Sequence, residues 1–342
     1  MTWRVVVAGA NTAAGREVLN ALAARSFPMA EVTALGTGRS PGQQVALGEG
    51  ARLTLRALDG FDFAGQHLVF FATPAAESRR HVPRAAAAGA LVLDLSAEFR
   101  MEAGVPLVVP EVNAPALLRF RRKRIIASPS PAAVFAALVL APLARLAPIA
   151  RVVALDLQPA SGAGKEGMDE LFAQTRASFV NDLPAPQQFP KPIAFNLIPQ
   201  TSAFAEGGET ADEALLPREL RKILDPDLRV SATCLRVPVF TGEALALHIE
   251  TTEAIGVTEA RTALRNAPGL AVFDTREDGG YPTPLDVTGE EEVVVSRLRR
   301  DHGVPHGLAL WLAGDNLRKG GALNAVQIAE AAVEAGLLGA AG

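Results

Sequence analysis

The chain has 342 residues, 49% of them hydrophobic and 20% charged, and a formal net charge of −4. That length exceeds what one core serves and implies two domains, while the mixed, nearly balanced charge argues against general nucleic-acid binding or attachment to an anionic membrane. A single cysteine excludes an internal disulfide framework and any multi-cysteine zinc site, as expected of a protein of the reducing cytoplasm. The apolar run that follows Met1-Thr2-Trp3-Arg4 ends at Gly9, too short for a signal peptide or a span. The most apolar helical stretch, 132–150, is interrupted by Pro142 and Arg145 and reads as a core helix.

In chain order, residues 3–8 form a β-branched strand run, followed by Gly9-Ala10-Asn11-Thr12-Ala13-Ala14-Gly15 and a helical pattern through Leu22. Strand, glycine turn and helix are the context of a dinucleotide fingerprint. The middle glycine, which normally lets the backbone approach a pyrophosphate, is replaced by Thr12, so an ordinary βα turn with two glycines fits the pattern as well. A cofactor at this turn would meet Gly9, Asn11, Thr12, Ala13 and Gly15. The second strand, 31–35, runs into Gly36-Thr37-Gly38-Arg39-Ser40. An arginine there suits the 2′-phosphate of NADP, where an acidic residue would suit the ribose hydroxyl of NAD, and this adds Thr37, Arg39 and Ser40 to the cofactor set. The other reading of Arg39 is a solvated turn residue.

Strands are expected at 68–72, 91–95, 105–109 and 124–127, with a helix at 78–88. This alternation is the pattern of a Rossmann-type, doubly wound parallel sheet, whose right-handed crossovers bring the strand C-termini to one edge. Arg100 falls on that edge. So does the corner Ser128-Pro129-Ser130-Pro131, where a buried strand turns into an apolar helix, with Ser130 suited to the N-cap and Pro131 to the first helical position. Such corners hold nucleophiles or bind anions in α/β enzymes.

Beyond residue 150 the texture changes to an α+β pattern. Strands are expected at 152–157, 231–239, 245–251, 293–298 and 308–313, with helices at 213–224 and 323–336 and a proline-rich loop at 184–192. The implied organisation is a nucleotide-binding domain of residues 1–131 plus 320–342, and an inserted domain of residues 132–319. The fingerprint turn, the corner at 128–131 and Arg236 are expected to face one cleft.

Several motifs together resemble the aspartate-β-semialdehyde dehydrogenases: Asp315-Asn316-Leu317-Arg318-Lys319-Gly320-Gly321-Ala322-Leu323-Asn324, Ser161-Gly162-Ala163-Gly164, Ala194-Phe195-Asn196-Leu197-Ile198-Pro199-Gln200 and Ser231-Ala232-Thr233-Cys234-Leu235-Arg236-Val237-Pro238-Val239. The branch most similar is the Usg-type paralogues. The resemblance implies a homodimer formed through the inserted domain, a role in amino-acid biosynthesis, and NADP with Asn316 in its site. It also implies reduction of an acyl phosphate through a cysteine thiolate, with a histidine relaying the proton. By the same resemblance Arg236 binds a substrate carboxylate, Gln158 positions the acyl group, Arg100 lies at the phosphate site, and Glu219 belongs to the binding site. Lys222 stands one turn from Glu219 on the same helix face.

The two chemical residues are absent. Where the family has cysteine the chain has Pro131, and where it has histidine, seven residues after Arg236, it has Glu243. Proline supplies neither a nucleophile nor an N–H, and a glutamate moves protons only if its pKa is raised. Cys234 reads as a core thiol in a strand. His248 lies five residues beyond Glu243 and so faces the other side of the strand. His302 and His306 have metal-pair spacing, but Gly303 and Pro305 forbid a regular helix between them, so no metal site is expected. The chain reads as a catalytically impaired paralogue that binds a small anionic metabolite or a partner and takes NADP weakly. The alternative is an NADP-dependent oxidoreductase working without the usual cysteine.

Overall fold

The computed structural model describes residues 2–38, 40–180 and 184–338. The chain divides into two compact units, residues 1–130 with 321–342 and residues 131–320.

The first unit is built on β1 (Trp3–Ala8), α1 (Ala13–Ala24), β2 (Met29–Gly36), a hairpin of β3 (Gln44–Leu47) and β4 (Ala51–Thr54), β5 (Arg56–Ala57), β6 (Leu68–Phe71), α2 (Ala75–Ala87), β7 (Leu91–Asp94), α3 (Pro110–Asn113) and β8 (Ile125–Ala127). The main sheet runs β5-β2-β1-β6-β7-β8 and is parallel throughout. Strands buried on both faces should read as apolar runs; β6 does throughout and β7 does up to its last residue, Asp94, with every residue of both buried. The chain leaves β1 toward β2 on one side and returns to β6 on the other. The order therefore reverses at the C-terminal end of β1, the switch point where ligands bind in such sheets. The expected strand at 105–109 is reduced to one bridge, Leu107 to Ala127. Pro106 and Pro110 flank that bridge and cannot donate to a ladder.

The second unit opens with α4 (Pro131–Ala144) and continues through β9 (Ile149–Gln158), α5 (Gly164–Ser178), α6 (Ala211–Ile223), β10 (Arg229–Arg236), β11 (Glu243–Thr251), α7 (Val257–Arg265), β12 (Leu270–Val272), β13 (Val293–Asp301) and β14 (Gly307–Gly314). Its sheet runs β10-β9-β11-β14-β13-β12, with β9/β10 and β12/β13 parallel and the rest antiparallel. Helix α4 carries no charge and is buried on nearly all sides, which marks it as the central core helix. It packs against β9, β11 and β14 as well as α6 and α7, so one face of the sheet is covered. The opposite face presents Val153 and Leu155 at 37% and 36% exposure. The π-helical turn Arg318–Ala322 leads into α8 (Leu323–Glu334), which packs on α1 in the first unit and fixes it by a two-bond pair from Arg25 to Glu330 at 2.8 Å. No helix among the described residues is long and apolar enough to cross a membrane.

Candidate functional site

In the first unit the turn after β1 is closed by its own backbone. Gly9 has φ +80°, and a Cβ there would lie 2.3 Å from the Ala72 carbonyl oxygen; at Gly15 one would lie 2.1 Å from the Gly9 carbonyl oxygen. Both positions admit only glycine, the first for the left-handed turn and the second for the approach of α1 to β1. Thr12 is the N-cap of α1. Its Oγ1 accepts from Gly15 N at 3.0 Å and donates toward the carbonyls of Gly9 and Ala72 at 2.9 and 3.1 Å. The threonine hydroxyl is thus folded into the turn, a role that the sequence pattern alone does not disclose. The N–H groups of Ala13 and Ala14 begin the helix and, as in any helix, lack an intrahelical partner. Asn11 Oδ1 accepts from Thr37 N at 3.1 Å, tying this turn to the end of β2, where Ser40 Oγ donates to Thr37 O at 2.7 Å. Arg39 lies outside the described residues. A glycine cradle at a sheet switch point, opening onto a helix N-terminus, fits a dinucleotide pyrophosphate.

Arg100 belongs to the same unit. Its Nε donates to Ser128 O and its Nη2 to Leu95 O, both at 3.0 Å, so it is seated on the segments that follow β8 and β7. The adjoining Asp94 is buried and accepts from Ser78 Oγ and Ser96 Oγ at 2.8 and 2.7 Å; burial raises its pKa against those bonds.

In the second unit the β register sets Asp156 of β9 against Cys234 of β10 and Leu245 of β11, and Gln158 against Arg236. Side chains alternate along strands, so Asp156, Gln158, Cys234, Arg236 and Glu243 all lie on the helix-covered face. Glu243 and Arg236 are buried at 4% and 5% exposure. Arg236 Nη1 donates to Pro159 O at 2.8 Å and Nη2 toward Thr201 O at 3.3 Å; a Cβ at Gly162 would meet Nη1 at 2.5 Å, which explains a glycine there. Gln158 Nε2 donates to Asp156 Oδ2 at 2.8 Å. Burial pushes the Cys234 thiol far upward, and the nearby acids Asp156, Asp212 and Glu213 push it the same way. Its N–H, on an edge strand, is satisfied by Glu213 Oε1 at 3.0 Å, the same glutamate that completes a capping box with Thr210 at the start of α6. Glu219 is fully buried on α6, and Lys222 is half-buried one turn later.

Pro131 is the first residue of α4, and Ser130 precedes it. Asn316 is buried in the second unit, where its side chain joins Ser161 Oγ at 3.0 Å and accepts from Gly242 N at 3.1 Å. His248 pairs with Val153 and Ala309 on the uncovered face, away from Glu243, and its Nδ1 contacts Asp301 at 2.6 Å. Asp156 escaped the sequence reading although a signal was present: it occupies the phase of Val152 and Ala154, where an apolar residue belongs.

One group among the described residues has metal-ligand spacing, Asp59, Glu77 and His81 of the first unit. Arg80 already pairs with both carboxylates. Arg84, which can only donate, bonds His81 Nδ1 at 2.9 Å, so the ring proton of the neutral imidazole sits on Nε2, the nitrogen facing the acids. The group is an ion-pair network.

A parallel sheet with a glycine turn at its switch point, followed by a mixed-sheet unit carrying a buried arginine, defines the two-domain semialdehyde dehydrogenase class. Residues 4–119 match the semialdehyde dehydrogenase NAD binding domain and residues 140–319 the semialdehyde dehydrogenase dimerisation domain. The aspartate-semialdehyde dehydrogenase of Rickettsia bellii is 40% identical over 328 residues, covering 96% of this chain and 97% of that one. The enzyme of the same name from Synechocystis is 40% identical over 98% of both. Among solved structures, aspartate semialdehyde dehydrogenase II from Vibrio cholerae, complexed with ASA, superposes with a TM-score of 0.94 at 36% identity over 98% of this chain and 99% of that one. The chain belongs to the aspartate-semialdehyde dehydrogenase family.

Proposed function

We propose that this member of the family does not carry out the thioester reaction of its relatives and instead binds a small carboxylate metabolite, as a Usg-type paralogue. One observation carries the reading. The only cysteine of the chain, Cys234, is 1% exposed, and burial beside acidic groups drives its thiol pKa upward, so no thiolate is available as nucleophile. Position 131, where the family resemblance would put the reacting cysteine, holds a proline at the start of α4. Arg236 supports the binding half of the proposal: a guanidinium held by backbone carbonyls is preorganised for a carboxylate. Arg100, Gln158, Glu219 and Lys222 are proposed as the remaining ligand-site residues.

Gly9, Asn11, Thr12, Ala13 and Gly15, with Thr37 and Ser40, would hold NADP, which when bound supplies hydride chemistry; Arg39 and Asn316 complete the proposed set. The glycine turn kept at Gly9 and Gly15 favours a second reading, an NADP-dependent oxidoreductase that needs no cysteine. The dimerisation domain, with Val153 and Leu155 on its uncovered sheet face, supports a homodimer. The deciding assay follows NADPH formation from aspartate semialdehyde and phosphate, and the native chain is expected to show no turnover. A calorimetric titration separates the two readings: the oxidoreductase requires cofactor affinity, whereas the binding protein is expected to take NADP weakly and NAD more weakly still.

A further inference from the structure

The covered face of the mixed sheet holds an acid pair that the family resemblance does not explain. Asp156 is 1% exposed and Glu243 is 4% exposed. Asp156 Oδ2 accepts from Gln158, but Oδ1 is buried without a donor, while the Glu243 carboxyl lies within hydrogen-bonding reach of Asp156. Two ionised carboxylates are acceptors only, so their contact is repulsive unless a proton lies between them. The orphaned oxygen finds its donor if Glu243 is a neutral acid.

The charges facing the pair come from few elements. Strand β10 contributes Arg236 and the neutral thiol of Cys234, and the first turn of α6 contributes Asp212 and Glu213. Helix α4 contributes none. With one proton on the pair, its remaining negative charge already balances Arg236. A ligand carboxylate arriving at Arg236 then adds negative charge beside a buried acid pair, in a desolvated place.

We propose that Asp156 and Glu243 share one proton in the ligand-free protein, and that binding of a small carboxylate at Arg236 is coupled to uptake of a second proton by this pair. The inference rests on the reading of Arg236 as the anion-binding residue. The proton comes from water and converts the remaining carboxylate to a carboxylic acid; no other bond changes. Burial supports the coupling from the energetic side: it raises Glu243 well above the usual carboxylate range and places Asp156 at about 6, where a modest added negative charge moves the second protonation into the neutral range.

The test uses the intact chain and L-aspartate, whose side-chain carboxyl, with a pKa of about 3.9, stays ionised above pH ~5.5. Calorimetry near pH 7 in buffers of different ionisation enthalpy is expected to show net proton uptake on binding. Affinity should fall as pH rises above about 6, by up to about tenfold per unit. Asp156→Asn should flatten that profile. An infrared band of a protonated carboxyl should be present in the ligand-free protein at neutral pH and absent in Glu243→Gln. Binding without proton uptake, or absence of that band from the native protein, overturns the coupling and leaves Arg236 as an anion site. No binding at any pH, or binding indifferent to Arg236→Ala, overturns the reading on which the coupling rests.

Discussion

At the turn after β1, a methyl group on Gly9 would lie 2.3 Å from a backbone oxygen, and the Thr12 hydroxyl is bonded to two backbone groups of the same turn and to the Ala72 carbonyl beyond β6. On the covered face of the mixed sheet, Glu243 and Asp156 have no such steric necessity; they are acids inside a core, in reach of each other, with the Gln158 amide and the Cys234 thiol beside Asp156. The first region is held by packing that any sequence with this fold must respect. The second is a place where side-chain chemistry can change while the fold survives. On the proposed reading, that contrast lets a chain keep the dehydrogenase architecture while positions 131 and 243 change.

The strongest way to sharpen the contrast is to restore the chemistry. Pro131→Cys alone is expected to leave turnover at background, because Glu243 would oppose thiolate formation by like-charge repulsion or, when neutral, offer no imidazole. Pro131→Cys with Glu243→His is expected to give traces, still orders of magnitude below the ordinary enzyme range of ~1–10³ per second, since groups acting as a unit are strongly non-additive. NADPH formation reads both variants, and full recovery by the single substitution would show that position 243 is chemically irrelevant.

Next in size is the steric side. Gly9→Ala forces a left-handed backbone and a clash with the Ala72 carbonyl, and is expected to destabilise the first unit by about 3 kcal/mol. Trp3 lies in the first unit and Trp311 in the second, so single-tryptophan variants report each unit in denaturant. A loss confined to the Trp3 signal is the expected outcome.

A comparable effect should follow pH in the other unit. Asp156 rises from 3.8 unfolded to about 6 folded, so the folded state binds more protons between these values. Stability of the second unit is therefore fully present below about pH 4 as far as this group is concerned, and falls by on the order of 3 kcal/mol as pH rises through about 6. Trp311 fluorescence across that range checks the sign, and Asp156→Asn should reduce the slope, leaving the part that belongs to Glu243, whose pKa burial raises as well. The smallest effect is expected at α6, where Thr210→Ala breaks the capping box at a cost of about 1 kcal/mol, read from the same signal.

Much of the architecture was legible without coordinates. The strand of residues 3–8 and the helix beginning near 131 are visible in apolar runs and caps, because local propensity and burial point the same way there. The prolines at 106 and 110 carried a warning against the strand expected at 105–109, and the missing N–H groups prevailed over the apolar pattern.

Strand alternation in the sequence sufficed to separate His248 from Glu243 and to group Cys234 with Arg236, since a side chain's face depends only on odd or even spacing. Which strands lie side by side is a different matter. Only the pairing of β9 with both β10 and β11 brings Asp156 beside Cys234 and within reach of Glu243, residues 78 and 87 positions further along the chain. Proton sharing depends on that distance and on removal from water, and neither is encoded in any local stretch of residues. The same holds for Thr12: its identity was plain, but its hydroxyl became a structural cap only when β6 carried the Ala72 carbonyl alongside the turn. Local physics thus wrote the elements, and the long-range pairing of strands decided which side chains meet and in what state of charge.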